Sequence, residues 1–315
     1  MTRTCCLVVN PAAGGGRSQR LLPVVSGVLD AAGVRHQVDA SASLEHASEL
    51  AAAAAGRGDV VVAVGGDGMV GALAGAVAAA GGVFGIIPAG RGNDFARTLA
   101  IPFAPADAAG VIARGQERPV DLIAVGRADG PVGTGGPAGT AGPGEVVVAG
   151  SVYLGIPAIA AEIAGRSRVP PGELAYPVAA LRAVLGWRPA TFRLEPDGAA
   201  AQEFAGGALV VANSRYFGAG MMVAPRADVA DGLLDVVFIR GASKAAMLRG
   251  LAKIKDGGHL SMSQIGTARA AAVTITVGRA VPAGADGESL VCARPLDPGA
   301  PLRIRALPGV LQVIS

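Results

Sequence analysis

Val60-Val61-Val62-Ala63-Val64-Gly65-Gly66-Asp67-Gly68-Met69-Val70-Gly71 is the stretch on which the reading of this chain turns. Five apolar residues, mostly β-branched, specify a strand buried on both faces, since no polar residue alternates with them. Three glycines and one acid follow, and Met69 to Ala80 reads as a helix. In an open parallel sheet, ligands collect beyond the carboxyl ends of the strands. Glycines there let a nucleotide come close, and an acid among them suits Mg²⁺ or its water shell. The same acid would also serve as a plain cap of the helix.

Outward from this stretch, strand and helix signals alternate. Cys5 to Val9 is a short buried strand, Arg17 to Ala32 has helical spacing, and Arg35 to Val38 is a weaker strand. Leu44 to Ala55 is an alanine-rich helix, and Val83 to Ile87 is a further strand. This order implies a parallel sheet with helices on its faces. Met69 to Gly90 carries no charge and approaches the length of a membrane span. Gly81-Gly82 and Pro88 interrupt it, so a buried helix, a turn and a buried strand are expected.

Beyond Pro102 the pattern changes. After one helix, Asp107 to Arg114, strand signals crowd together at 120–127, 145–153, 190–195, 208–212, 234–239, 271–277 and 290–292. Only two helices interrupt them, Tyr176 to Leu185 and Ser243 to Lys255. Closely spaced strands without intervening helices mark a mainly antiparallel β domain. The boundary is expected near Arg118: an α/β domain at 1–118, a β-sandwich at 119–301, and a last strand, 302–315, able to return to either. Asp129 to Gly144, rich in Gly, Pro and Thr, reads as a long hairpin loop.

Composition agrees with two cores. The chain has 315 residues, and 51% hydrophobic against 3% aromatic means packing by Ala, Val, Leu and Ile. A net charge of +3 suits an anionic substrate or membrane surface and is too mild for nucleic acid. Cys5, Cys6 and Cys292 supply neither a disulfide framework nor metal-ligand spacing, which fits a reduced cytoplasm. The apolar run at the start is too short for a signal-peptide core.

Two further loops lie at strand ends. Asn10-Pro11-Ala12-Ala13-Gly14-Gly15-Gly16-Arg17 joins a strand to a helix, so its main chain is suited to phosphate oxygens. Its spacing is neither that of a Walker loop nor that of the dinucleotide fingerprint. Pro88-Ala89-Gly90-Arg91-Gly92-Asn93-Asp94-Phe95-Ala96-Arg97 follows the Val83 strand. Arg91 is placed to reach phosphate, and Asn93 or Asp94 to cap a helix starting at Phe95.

Together these motifs resemble the catalytic domain of the diacylglycerol kinase family, which also includes sphingosine and ceramide kinases. The matching residues are Asn10-Pro11 with Gly14, Gly65 to Gly68, and Gly90 with Gly92 to Arg97. Downstream, Asn213 to Met221, Ala224-Pro225, Asp231 to Val236 and Asp286-Gly287-Glu288 continue the likeness. The resemblance implies an α/β nucleotide-binding domain plus a mainly antiparallel β-sandwich, the fold of NAD kinases, with the site in their cleft. It implies ATP and Mg²⁺ as cofactors. The γ-phosphoryl group would pass to the hydroxyl of diacylglycerol or a similar lipid at a peripheral membrane contact, without nucleic acid, and a homodimer stays open.

Residue by residue, the resemblance assigns nucleotide contacts to Asn10, Pro11, Ala12, Ala13, Gly14, Ser41, Gly66, Asp67, Gly68, Met69, Arg91, Asn93 and Asp94. It makes Glu288 the general base, with Asp286 and Asp67 assisting. In an extended segment Asp286 and Glu288 would share one face, so one carboxylate takes the proton while the other orients it. The plain alternative is an Asp-Gly hairpin turn with a solvated Glu288. A structural Mg²⁺ is implied at Asp235 with the carbonyls of Gly232 and Val237.

Two departures stand out. Met69 follows the glycine run where relatives carry Thr or Ser, and Arg91 replaces a common Thr. A sphingoid-base or glycolipid kinase, or a catalytically silent nucleotide or lipid sensor, are the alternatives. An NAD kinase would need an Asn-Glu pair early in the Met69 helix, and none is there. The helix Ser243 to Lys255 gathers Met247, Leu248, Leu251 and Ile254 on one side, suiting either an anionic membrane or ordinary packing. His259 is expected to be a satisfied polar group.

Overall fold

Every residue of Cys5–Val9, strand β1, is buried, as the unbroken apolar run requires. The computed structural model describes residues 4–11, 16–128, 141–142, 144–166, 175–241, 243–286, 288–289 and 295–315. The chain divides into two units, Met1–Leu122 with Pro308–Ser315, and Ile123–Leu307.

In the first unit β1 is followed by α1 (Arg17–Ala31), β2 (His36–Ala40), α2 (Leu44–Gly56), β3 (Val60–Gly65), α3 (Asp67–Ala79), β4 (Val83–Pro88), α4 (Asp94–Thr98) and α5 (Pro105–Arg114). β1 pairs in parallel with β2 and β3, and β3 with β4, giving the order β2-β1-β3-β4. β3 and β4 are buried along their whole length, and α2 packs with α3 while α1 packs with α5. β2 is the edge strand and exposes Gln37, Val38 and Ala40, which is why its apolar signal is faint. From β1 the chain crosses to β2 on one side, and from β3 it crosses to β4 on the other. The carboxyl ends of β1 and β3 therefore form a topological switch point, the usual crevice of an open α/β sheet.

The uncharged stretch 69–90 is α3, a turn and β4, and among the described residues no helix is long and apolar enough to cross a membrane.

The second unit is mainly antiparallel. β5 (Glu117–Arg127) enters it, followed by β6 (Val146–Val148), β7 (Ser151–Gly155), α6 (Ile156–Arg166), α7 (Ala175–Gly186), β8 (Ala190–Pro196), β9 (Gln202–Ala212) and β10 (Leu234–Arg240). Then come α8 (Lys244–Lys253), β11 (Ile265–Ala270), β12 (Ala272–Val277), β13 (Ala283–Ala285), β14 (Glu288–Ser289) and β15 (Leu302–Ile314). The strand order β14-β13-β7-β9-β8-β12-β15 is flanked by β10, which pairs with β9 and β11. Phe192, Phe204 and Phe238 stack through the core at centroid distances of 5.6 and 4.4 Å.

β15 answers the question left open for 302–315, because it serves both units. Leu302 to Arg305 pairs with β12, and Gln312-Val313 pairs in parallel with β4. Gly309, at φ 60°, donates its N–H to Asp121 at 2.7 Å where the strand turns into the first unit.

Several expectations need correction. The single strand expected over 145–153 is two strands separated at Ala149-Gly150. α6 and β11 had no clear signal. The strand expected at 290–292 and the loop at 129–140 lie outside the described residues. α8 buries Ala246, Met247 and Gly250, with Leu248, Leu251 and the following Ile254 half-buried, so of its two expected readings the structure shows packing within the unit.

Candidate active site

In the first unit, three loops leave neighbouring strand ends. The chain after β3 passes so near the chain after β4 that a side chain fits on neither. A Cβ on Gly66 would lie 3.0 Å from Gly90 Cα, and one on Gly90 would lie 2.5 Å from Gly66 Cα. The seam is closed by main chain as well, with Ala89 N–H donating to the Gly65 carbonyl at 2.8 Å. Asn93, in the left-handed region at φ 52°, clamps Gly90 twice: its Oδ1 accepts the Gly90 N–H at 2.8 Å and its Nδ2 donates to the Gly90 carbonyl at 3.1 Å.

Asp67 does what the sequence reading gave to Asn93 or Asp94. Its Oδ1 accepts the N–H groups of Asp94 at 2.6 Å and Phe95 at 3.3 Å, so α4 is capped from the adjacent loop. Asn93 stands at the N-cap position without a side-chain capping bond. Burial pushes the Asp67 carboxyl above its ordinary range, and the N–H groups of Phe95, Asp94 and Asn93 pull the other way. A carboxylate so held fixes the Gly90–Asp94 loop against α3. For a nucleotide's Mg²⁺, the carboxylates at this seam are those of Asp67 and Asp94, an oxygen donor set that suits a hard cation keeping several waters.

The remaining first-unit candidates are placed as follows. Asn10 and Pro11 stand half-buried at the end of β1. Ala12, Ala13 and Gly14 lie outside the described residues. Ser41 is buried and turned inward, its hydroxyl donating to the Val9 carbonyl at 3.2 Å. Gly68 is half-buried in the first turn of α3, and Arg91 is exposed. Met69 is buried against Gly65: a Cβ there would lie 2.7 Å from its sulfur. The Met69 side chain is thus a packing element beneath the turn.

In the second unit, Asp286 is the centre of a main-chain nest. Its carboxylate accepts three N–H groups, from Ala149 at 2.7 Å, Gly150 at 2.9 Å and Ser151 at 3.1 Å. The same turn is gripped from behind. Asn213 and Ser214 donate their N–H groups to the Gly150 carbonyl, each at 2.9 Å, and Asn213 Nδ2 reaches the Ala149 carbonyl at 3.0 Å. The segment is not extended, which corrects the face-sharing argument. Ala285 pairs with Glu288, and Asp286 has φ 45°. The three N–H groups hold the Asp286 carboxylate directly after β13. Glu288 is the first residue of β14. Nothing local in the sequence marks Ala149-Gly150-Ser151 as partners of Asp286. A glycine between two apolar runs signals only the break there.

The comparisons with known proteins bear on family and fold. Residues 4–125 match the profile "Diacylglycerol kinase catalytic domain", and residues 150–315 match "YegS C-terminal NAD kinase beta sandwich-like domain". A protein of Mycobacterium tuberculosis (strain ATCC 25618 / H37Rv) named "Diacylglycerol kinase" is 32% identical over 232 residues, covering 73% of this chain and 68% of its own. This chain belongs to the diacylglycerol kinase family of lipid kinases. A "Probable lipid kinase YegS-like" of Pseudomonas aeruginosa (strain UCBPP-PA14) is 32% identical over 234 residues, covering 72% of the kinase described here and 66% of its own length. Among solved structures, a diacylglycerol kinase from Bacillus anthracis str. Sterne superimposes with a TM-score of 0.70 at 20% identity, over 99% of this chain and 96% of that one. A yeast NADH kinase does so at 0.51 and 8% identity, over 99% and 83%. These structures establish the fold, which is that of diacylglycerol and NAD kinases.

The implied structural Mg²⁺ fares differently in this kinase. Arg269 donates to Asp231 through Nη2 and to Asp235 through Nε at 3.4 Å, so a guanidinium already stands against both carboxylates. Burial raises the Asp235 carboxyl, and Arg269 opposes that shift. Asp235, with the carbonyls of Gly232 and Val237, would have to release Arg269 to hold a divalent ion. Among the described residues no group of three or more His, Cys, Asp or Glu is arranged for a metal. An ion held there at a hundred times its dissociation constant would add about 2.7 kcal/mol of stability, or several degrees of melting temperature. The nucleotide-free kinase is expected to melt within about 1 °C of the same temperature in EDTA and in excess Mg²⁺, as followed by circular dichroism.

His259 is buried, and its Nε2 donates to the Val223 carbonyl at 3.0 Å. Burial holds its pKa below the ordinary value.

Proposed function

We propose that this kinase transfers the γ-phosphoryl group of ATP to the hydroxyl of diacylglycerol, giving phosphatidic acid. The observation that carries the reading is the side-chain-free seam of Gly66 and Gly90 at the switch point, pinned by Asp67. Main chain alone approaches a polyphosphate most closely there. α3 begins at Gly66 with no side-chain cap, so its first N–H groups favour phosphate oxygens. Exposed Arg91 is available to the same oxygens, and Asn10 and Pro11 border them from β1.

Mg²⁺, when bound, neutralises phosphate charge, and Asp67 and Asp94 are the residues that would hold it. Glu288 accepts the proton of the lipid hydroxyl as its oxygen bonds the γ-phosphorus. The bond from that phosphorus to the β–γ bridging oxygen breaks, and ADP leaves. Asp286 keeps the Glu288 hairpin in place. An apolar cavity of about 90 Å³ in the second unit, lined by Ile156, Phe217, Val237, Met247, Leu251 and Ile254, supports an apolar acceptor.

The test is γ-labelled ATP with a panel of diacylglycerol, sphingoid base, glycolipid and NAD. Label is expected in the diacylglycerol fraction. Label in another lipid alone moves the acceptor. An ATP-dependent rise in melting temperature with no labelled product marks a silent sensor.

The seam itself makes a prediction. Gly90→Ala places a methyl against Gly66 main chain, which has no room to yield, and is expected to weaken ATP at least about tenfold by calorimetry. Gly27→Ala, with nothing within 4 Å, is the control and is expected to bind as the parent does.

A further inference from the structure

We propose that the outer face of α7 docks this kinase on an anionic lipid bilayer. Among the described residues, Val24, Val38, Leu44 and Phe103 are large hydrophobics exposed one to an element, whereas α7 alone exposes three: Val178 at 42%, Leu181 at 41% and Leu185 at 55%. Their spacings of three and four place them on one stripe of the helix. The opposite stripe, Ala179, Ala180, Ala183 and Val184, is buried. α7 is therefore apolar on both sides, which is the pattern of a helix with a second apolar neighbour.

Charge identifies that neighbour. α6, which packs most extensively on α7, carries one exposed acid, Glu162, but neither α7 nor α8, which also packs against it, contains any. Basic groups are gathered at the Leu185 end instead. Lys244 Nζ donates to the Leu185 carbonyl. The Arg279 guanidinium lies 4.5 Å over the Trp187 ring and donates to the carbonyls of Pro189 and Arg188. Arg182 and Arg188 are exposed beside them, and Arg249 is exposed on α8. An apolar stripe with a basic rim at one end fits the headgroup region of an anionic leaflet, where the apolar side chains enter the acyl boundary and the cations meet phosphate.

The inner stripe of α7 has a bearing on the substrate. Ala180 and Val184 line the same apolar cavity as Met247 and Leu251 of α8. The docking helix is thus one wall of the place offered to an apolar acceptor. This deepens the lipid-kinase reading, but binding to a bilayer without nucleotide does not depend on phosphoryl transfer.

The experiment is flotation of the full chain, without ATP, on vesicles of phosphatidylcholine with and without phosphatidylglycerol. Parallel assays use Leu181→Glu with Leu185→Glu, and Val24→Glu as an equally exposed control. The parent and Val24→Glu are expected to float with anionic vesicles and to be released by salt. The double variant is expected to bind at least about tenfold more weakly with an unchanged melting temperature. It is also expected to phosphorylate a short-chain, water-soluble diacylglycerol at the parent's rate. Parental binding by the double variant overturns the proposal, and so does a parent that ignores anionic vesicles. A parent that self-associates, with the double variant monomeric and still vesicle-bound, assigns the face to a second copy and also overturns it. Loss of the soluble reaction in the parent itself counts against the lipid-kinase reading and leaves the vesicle result to be judged alone.

Discussion

Asp286→Ala is expected to lower the unfolding free energy by about 3–5 kcal/mol, because three N–H groups lose their shared acceptor. Ala149 and Ser151 are buried, so water does not replace the carboxylate fully there. The new residue is also less at ease than Asp at φ 45°. At roughly 2–4 °C per kcal/mol for a unit of this size, the melting temperature should fall by about 10 °C. Asp286→Asn keeps the left-handed turn but offers one acceptor oxygen and turns an NH₂ group toward other donors. It is expected to fall between the two. Denaturant titration measures the loss, and a change below about 1 kcal/mol would remove the nest from the account.

Glu288→Gln is the second large effect. Removing a general base costs about 10²–10⁴ in rate, and a kcat reduced about a thousandfold is expected. The KM for ATP and the melting temperature should be unchanged, because the amide keeps the size of the carboxylate. A pH profile adds a readout that a structural role would not move: the acidic limb of kcat, set by loss of the base to protonation, should vanish in the variant. Turnover near the parental rate would return Glu288 to an ordinary β14 side chain.

The parts of the fold that could be read directly were those whose signal is local. β1, β3 and β4 are continuous apolar runs because both faces are covered, and the glycines that end β3 and β4 mark where main chains meet. What stayed hidden depends on distant partners. Val146-Val147-Val148 and Val152-Tyr153-Leu154 look like one strand, and the break between them is made by a carboxylate more than a hundred residues away. The cap of α4 comes from Asp67 and not from the adjacent Asn93, which no local capping rule reveals. The first half of β9 was missed because Gly206 and Gly207 weaken its apolar pattern. A Cβ on Gly206 would lie 2.2 Å from the Ile239 carbonyl oxygen, so the strand needs its glycine. For the candidate site, Gly66, Asp67 and Asn93 were singled out by type and spacing, and Asp286 by the family resemblance. Their division of labour was not, since it lies in hydrogen bonds across loops.

The most direct test of phosphoryl transfer to a lipid alcohol is ³¹P NMR of the kinase with ATP, Mg²⁺ and micellar diacylglycerol. The account expects a phosphomonoester signal on the lipid to grow in step with ADP, one for one. ATP left intact, or consumed only to inorganic phosphate, would contradict it.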